Sequence, residues 1–270
     1  MEYKNKRNGH NGQRPNVKKE RFREEPGENV IFGRNSVKEL LSSGRDIDKL
    51  YIQLGDREGS VNQLLGIAAE RKLPIHEVDR TRLDSLACGG NHQGIIAIAA
   101  ERNYATVEDI LAYAEEKGEP PFIIILDGVE DPHNLGALIR SAECSGAHGV
   151  IIPKRRAVGL TPTAVKASAG AAEHMRVAKV TNLATTIDEL KEKGLWFYAA
   201  DMDGASYYDT DLSGAVGLVM GSEGFGISRL VKEKCDFVVS IPLYGSVNSL
   251  NVSCAGAVIM TEVARQRKRK

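Results

Sequence analysis

Nowhere in its 270 residues does the chain hold a run of about 18 apolar positions, and its first residues are polar. A membrane-spanning helix and a secretory signal are therefore both missing, and the expected location is the cytoplasm. Cysteine is scarce: Cys88, Cys144, Cys235 and Cys254 lie far apart and form no CxxC pair. That removes the usual spacing of a zinc site and of a disulfide framework, and leaves buried reduced thiols as the expectation. Neither the dinucleotide fingerprint GxGxxG nor the phosphate loop GxxxxGK occurs, so a nicotinamide-dependent enzyme has no cofactor motif here. Net charge is absent as well, since 36 Lys and Arg offset 36 Asp and Glu.

The balance is uneven along the chain. Residues 1–25 hold eight Lys or Arg against four Glu, and residues 265–270 (RQRKRK) place five bases in six positions. The middle is left about nine charges negative. Such ends are too polar to pack. They either confer solubility or reach toward phosphates, where each contact releases condensed counterions. Residues 1–28 read as a disordered basic arm. The remainder, in a chain with 42% hydrophobic content, is long enough for two domains.

Residues 29–102 alternate between short helices at 37–41 and 60–71 and strands at 49–54 and 95–99, the pattern of a small α/β unit. A helical linker, residues 103–118, is stopped by Glu119-Pro120-Pro121, because proline cannot continue a helix. From 119 to 270 the pattern predicts strands at 122–126, 149–152, 176–180, 196–200, 216–220 and 237–242. Helices at 135–145, 164–172, 183–193 and 227–234 divide them, and a closing helix starts near Leu250. Strands separated by helices of about ten residues imply a mostly parallel sheet covered on both faces.

Polar residues gather in three stretches of this second half: 127–146 (DGVEDPHNLGALIRSAECSG), 218–227 (LVMGSEGFGI) and 241–254 (IPLYGSVNSLNVSC). The last two put glycine-rich turns, one carboxylate and neutral polar side chains directly after apolar strands. That suits a neutral or cationic adenosine cofactor held by main chain rather than a phosphate held by charge. Each residue also has a plain structural reading. Asn134 stands near a helix start, and Arg140 lies six residues on among Leu138, Ile139 and Ala142, where a guanidinium needs an anionic partner. Glu223 can cap the helix after it, and Ser249 and Asn251 can cap the closing one. Met220, Gly221, Ile241 and Leu250 would by themselves be core or turn residues. Asp127, Glu130, Asp131 and His133 fall within seven positions, but Pro132 and the preceding strand make turn formation and capping their work, so no metal is predicted.

In order and in polar residues the three stretches resemble the motifs of the SpoU (TrmH) family of RNA ribose methyltransferases, part of the SPOUT superfamily. Residues 33–37 (GRNSV), 39–41 (ELL) and 91–94 (NHQG) are similar to the substrate-binding domain of its RlmB branch. The resemblance implies an α/β fold in which residues 119–270 form a trefoil-knot methyltransferase domain, a topology that no sequence rule proposes. Residues 29–102 would form a ribosomal-protein-like domain that binds the RNA. It implies S-adenosylmethionine (AdoMet) as the cofactor, enclosed by Met220, Gly221, Ile241 and Leu250. It places Asn134, Arg140, Glu223, Ser249 and Asn251 at the reacting ribose. The implied partners are RNA, with a guanosine of 23S ribosomal RNA or a tRNA as target, and a second copy of the chain in a homodimer joined through the knotted domain. His92 is then an RNA-facing or domain-packing residue, or else a buried, hydrogen-bonded histidine. A non-catalytic RNA-binding module is the surviving rival, and the presence of Asn134, Arg140, Glu223 and Asn251 together speaks against it.

A ribose 2′-hydroxyl distinguishes RNA from DNA, and it is a poor nucleophile until its proton begins to leave. The motifs contain no matching histidine or lysine to serve as base. Deprotonating an arginine at pH 7 costs on the order of 7 kcal/mol, roughly five pKa units. The expected role of Arg140 is therefore to stabilise the developing alkoxide while the proton passes to phosphate or water.

Overall fold

The computed structural model describes residues 29–43, 45–55, 59–100 and 103–268. The basic arm 1–28 and the last two residues lie outside the described residues.

Strand β5 (Phe122–Asp127) is buried from Phe122 through Leu126, as a strand covered on both faces must be. On one side it pairs with β6 (Gly149–Pro153), with β7 (Val177–Val180) beyond. On the other it pairs with β9 (Val216–Gly221), followed by β8 (Trp196–Ser206) and β10 (Phe237–Ser240). The order is β10-β8-β9-β5-β6-β7, and every pairing is parallel. The chain therefore runs outward from β5 to β7, crosses to β8, and returns to fill the place between β8 and β5. Strand order reverses between β5 and β9. In open parallel sheets the ligand crevice lies beyond the carboxyl ends of the strands at such a reversal. Here Asp127 pairs with Gly221 at that end.

Helix α5 (Pro132–Cys144) starts cleanly, because Asp131 accepts from the His133 N–H at 2.9 Å and Pro132 occupies the first turn. After edge strand β10 the chain comes back across the sheet as α9 (Val252–Arg267), which packs on α5 and β9. Gly256 of α9 has no Cβ where Leu138 of α5 stands, so the two helices approach closely. The remaining helices of this unit are α6 (Pro162–Ala167), α7 (Leu183–Glu192) and α8 (Arg229–Lys234). The linker helix α4 (Val107–Lys117) is fixed by a Thr106/Asp109 capping box, and its Ile110 packs onto Gly149 of β6.

A second, four-stranded sheet has the order β1-β4-β2-β3, formed by β1 (Val30–Phe32), β4 (Ile95–Ala99), β2 (Ile47–Gln53) and β3 (Ile75–Val78). Helices α1 (Arg34–Ser42), α2 (Gly59–Glu70) and α3 (Arg80–Leu86) accompany it. It is docked on the larger unit. Lys166 of α6 donates to the Asn91 carbonyl and sits 4.5 Å over the Phe32 ring, and burial lowers its pKa. His174 Nε2 lies 2.9 Å from Glu39 Oε2 across the same seam.

Several expectations are corrected. Strands β1 and β3 and helix α3 were not anticipated. The predicted helix at 164–172 stops at Ala167, where Ala169 (φ 52°) and Gly170 (φ 101°) turn the chain into a short 3-10 turn, Ala171–Glu173. Strand β8 continues to Ser206 rather than ending near Ala200. Cys144 and Cys254 are exposed rather than buried. Cys88 and Cys235 are half-buried, and burial pushes the Cys235 thiol up to about 12. The tail is less free than its charge suggested: α9 runs through Arg267, which donates to the carbonyls of Gly214 and Pro120, while Arg265 pairs with Glu262. Among the described residues no helix is long and apolar enough to cross a membrane.

His148, directly before β6, is bonded to the start of β5. It is 2% exposed, its Nδ1 accepts the Phe122 N–H at 2.9 Å, and its Nε2 lies 3.2 Å from Glu119. Burial first, and Arg267 second, hold its pKa below the ordinary imidazole range, with Glu119 opposing in part. Protonation therefore favours the unfolded chain. The stability it contributes is complete above about pH 6.5 and drains as the pH falls below that value. Urea midpoints measured at pH 7.5 and 5.5 should drop on acidification, and drop less in His148→Asn.

Candidate active site

The loop after β9 closes on itself. Ser222 N–H donates to the Gly226 carbonyl at 3.1 Å and Gly226 N–H returns to Ser222 at 2.9 Å. Gly226 has φ 65°, and a Cβ on Gly221 would run into the Gly226–Ile227 backbone, so both positions require glycine. This tight turn projects Glu223, Gly224 and Phe225 outward. Ser228 N–H donates to Asp127 at 2.8 Å and ties the turn to the neighbouring strand end.

Three side chains from three distant segments meet beside it. Glu223 accepts from the amide of Asn134, in the first turn of α5, and from the amide of Asn251 at 2.7 Å. Asn251 also donates to Asn134 Oδ1 at 3.1 Å. The amide of Asn251 has no choice of direction. Its oxygen accepts the Ser253 N–H at 2.9 Å as the N-cap of α9, which turns its NH2 group toward Glu223. Asn134 is only 7% exposed, so its amide needs these partners. The capping roles foreseen for Glu223 and Ser249 are not taken: Ser228 stands at the N-cap of α8, and Asn251 caps α9.

A cavity of about 410 Å³ opens under the same loop. Met220, Gly221, Ile241 and Leu250 all line it, as do Ser249 and Glu223. Asp201 lines it too, and a 2.6 Å hydrogen bond from Lys232 holds its carboxyl below the usual range. No lysine or arginine lines the cavity among the described residues. Apolar walls, main-chain groups and two carboxylates fit an uncharged base and a cationic centre, and not a polyphosphate. Arg140 is not there. It lies exposed on α5, six residues and therefore roughly 240° around the helix from Asn134. His92 is buried, with Nδ1 accepting the Gly94 N–H at 3.0 Å and Nε2 3.1 Å from Asp84, which makes it the buried, hydrogen-bonded histidine of the two alternatives.

A family model described as "SpoU rRNA Methylase family" matches residues 121–261, and one described as "RNA 2'-O ribose methyltransferase substrate binding" matches residues 30–105. A TrmH family tRNA/rRNA methyltransferase of Staphylococcus haemolyticus is 49% identical over 88% of this chain and 96% of its own length. The chain belongs to the SpoU (TrmH) family. This SpoU enzyme is an RNA methyltransferase, and its fold is matched across both units by solved structures. AviRb from Streptomyces viridochromogenes, in complex with AdoMet, has a TM-score of 0.74 at 22% identity, covering 89% of this chain and 91% of that one. An AdoMet-bound rRNA methyltransferase from Sinorhizobium meliloti has a TM-score of 0.71 at 25% identity, covering 87% and 86%.

Sequence reasoning about this SpoU enzyme missed four residues near the cluster: Asp201, Phe225 and the pair Arg155-Arg156. The basic triplet Lys154-Arg155-Arg156 directly after a strand was the available signal for the last two.

Asn251 offers a separable test. Asn251→Ala removes the cap and should cost about 1 kcal/mol in urea denaturation. Asn251→Asp keeps an oxygen for the cap but sets a second carboxylate against Glu223, so it should retain more stability while methyl transfer to RNA falls at least as far.

Proposed function

We propose that this enzyme binds AdoMet in the cavity beneath residues 222–226 and methylates the 2′-hydroxyl of a guanosine ribose in 23S ribosomal RNA, in the cytoplasm. The observation that carries the reading is the junction of Asn134, Glu223 and Asn251 at the rim of a cavity lined by Met220, Gly221, Ile241 and Leu250. The unit of residues 29–102 presents the RNA, and residues 119–270, with the C-terminal segment knotted, carry out the transfer.

When bound, AdoMet supplies a methyl group on a sulfonium, activated for in-line displacement by the ribose oxygen. Met220, Ile241 and Leu250 exclude water from the adenosine, and Gly221 offers main-chain contacts. Glu223 is held by Asn134 and Asn251, which fixes its carboxyl group beside the cationic donor. Ser249 lines the same cavity and contacts the reacting end. Positioning the two reacting atoms about 3 to 3.5 Å apart accounts for much of the rate. Arg140 stabilises the alkoxide as its proton leaves to phosphate or water. Since its own helix turns it away from the cluster, the guanidinium acts across a homodimer interface built on the knotted domain.

Arg140→Lys should nearly abolish turnover while calorimetric AdoMet binding survives; unchanged turnover removes Arg140 from the mechanism. Co-expression of Arg140→Lys with Asn251→Ala chains tests the dimer. Random pairing leaves about one quarter of sites with both wild-type residues if Arg140 acts across the interface, and none if it acts within its own chain. Mapping of 2′-O-methylation in total RNA from a strain lacking the protein identifies the nucleotide, with loss at a tRNA site correcting the target.

A further inference from the structure

The 222–226 loop has a second face. On the side away from the cofactor cavity, a groove of about 1020 Å³ is lined by Asn134, Glu223, Phe225, Asn182, Arg155 and Arg156. It is held open by main-chain ties. Lys154 N–H donates to the Val180 carbonyl at 2.8 Å and Val158 N–H to the Val129 carbonyl at 3.0 Å, which fixes both ends of the loop that carries the two arginines. Both guanidiniums belong to exposed residues and neither forms an ion pair among the described residues. The groove also holds the carboxylates of Asp127, Glu130, Asp131 and Glu223; hydrogen bonds tie three of them down, Asp127 from Ser228 N–H, Asp131 from His133 N–H and Glu223 from two amides, so the cationic wall is the loop that carries Arg155 and Arg156. Phe225, at the tip of the shared loop, is 97% exposed. A fully exposed phenyl ring on the same groove as two guanidiniums that form no ion pair among the described residues offers a stacking face together with phosphate donors.

We propose that this groove holds the RNA strand flanking the target ribose, with Arg155 and Arg156 on its backbone phosphates and Phe225 stacked on an unpaired base. The assignment rests on the reading that transfer occurs at the Glu223 junction. It makes the arginines and Phe225 positioning residues: they bring the strand to the junction and do not touch the transferring methyl. Stacking is indifferent to base identity, so the groove fixes the path of the strand rather than its sequence.

The test uses full-length enzyme, methyl-labelled AdoMet and ribosomal RNA from a strain lacking the protein, over a range of salt. Arg155→Ala/Arg156→Ala should raise KM for RNA at least tenfold and flatten its salt dependence by about one to two logarithmic units of slope. The AdoMet dissociation constant should not move. Arg155→Lys/Arg156→Lys should recover most of the loss, because a phosphate accepts a point charge. Phe225→Ala should raise KM about fivefold or more, and Phe225→Tyr should not. Wild-type KM and salt slope in the arginine variant, or a Phe225→Ala defect confined to AdoMet binding, would overturn the proposal while leaving methyl transfer in place. Absence of transfer to any RNA by wild-type enzyme that binds AdoMet would instead overturn the ribose reading, and the groove with it.

Discussion

Strand β9 reaches its place only after β5, β6, β7 and β8 have been laid down along the chain, and the pairing of Asp127 with Gly221 is what brings the working loops side by side. Every later feature depends on that register. A slip by one residue would turn Met220 from the cavity side of the sheet to its other face, since side chains alternate along a strand. It would also move Ser228 N–H away from Asp127, the bond that ties the turn after β9 to the end of β5. The pairing is expensive in loop closure, because it joins segments about 90 residues apart that must meet before their contacts repay the cost. The buried run 122–126 of β5 and the wholly buried β9 offset that cost with apolar surface on both faces.

On this frame the Glu223 junction is a network in which each group constrains the next. Asn251 is oriented by the cap of α9, α9 is positioned against α5 through the missing Cβ of Gly256, and α5 in turn delivers Asn134. Amides are required here for a physical reason. Aspartate at either position would present acceptors only, and three carboxylates or two would then repel one another in a half-buried space. A network of this kind keeps its geometry before any ligand arrives, and fixed dipoles are what a site needs when charge redistributes during reaction.

Much of this was legible before the structure. The unbroken apolar run 122–126 announced a central strand, and the glycines around Glu223 announced a main-chain turn, because both are local properties. The junction was legible only through family motifs, since hydrogen bonds spanning 89 and 117 positions leave no periodic trace. Strand β1 escaped because three residues are too few to alternate, and β3 because it is a four-residue edge strand with little burial. Thiol burial was misjudged for a different reason. Cys144 lies on α5 and Cys254 on α9, and residue type alone does not say which side of a helix faces out. Arg140 makes the same point in reverse: its angular offset from Asn134 follows from 100° per residue, yet chemical role and helix face were read separately.

The five residues 222–226 form the wall between two cavities, and Glu223 and Phe225 line both. In-line displacement demands that the attacking oxygen and the departing sulfur lie on opposite sides of one carbon. Two ligands entering from opposite sides of a thin partition satisfy that demand by construction, provided the partition is low enough for the reacting atoms to meet at its rim. Gly221, Gly224 and Gly226 keep it low, for a side chain at Gly221 would collide with the turn itself. In the proposed reaction, the glycine spacing that excludes a dinucleotide site is thus the same property that would let a donor and an acceptor approach each other across a single loop.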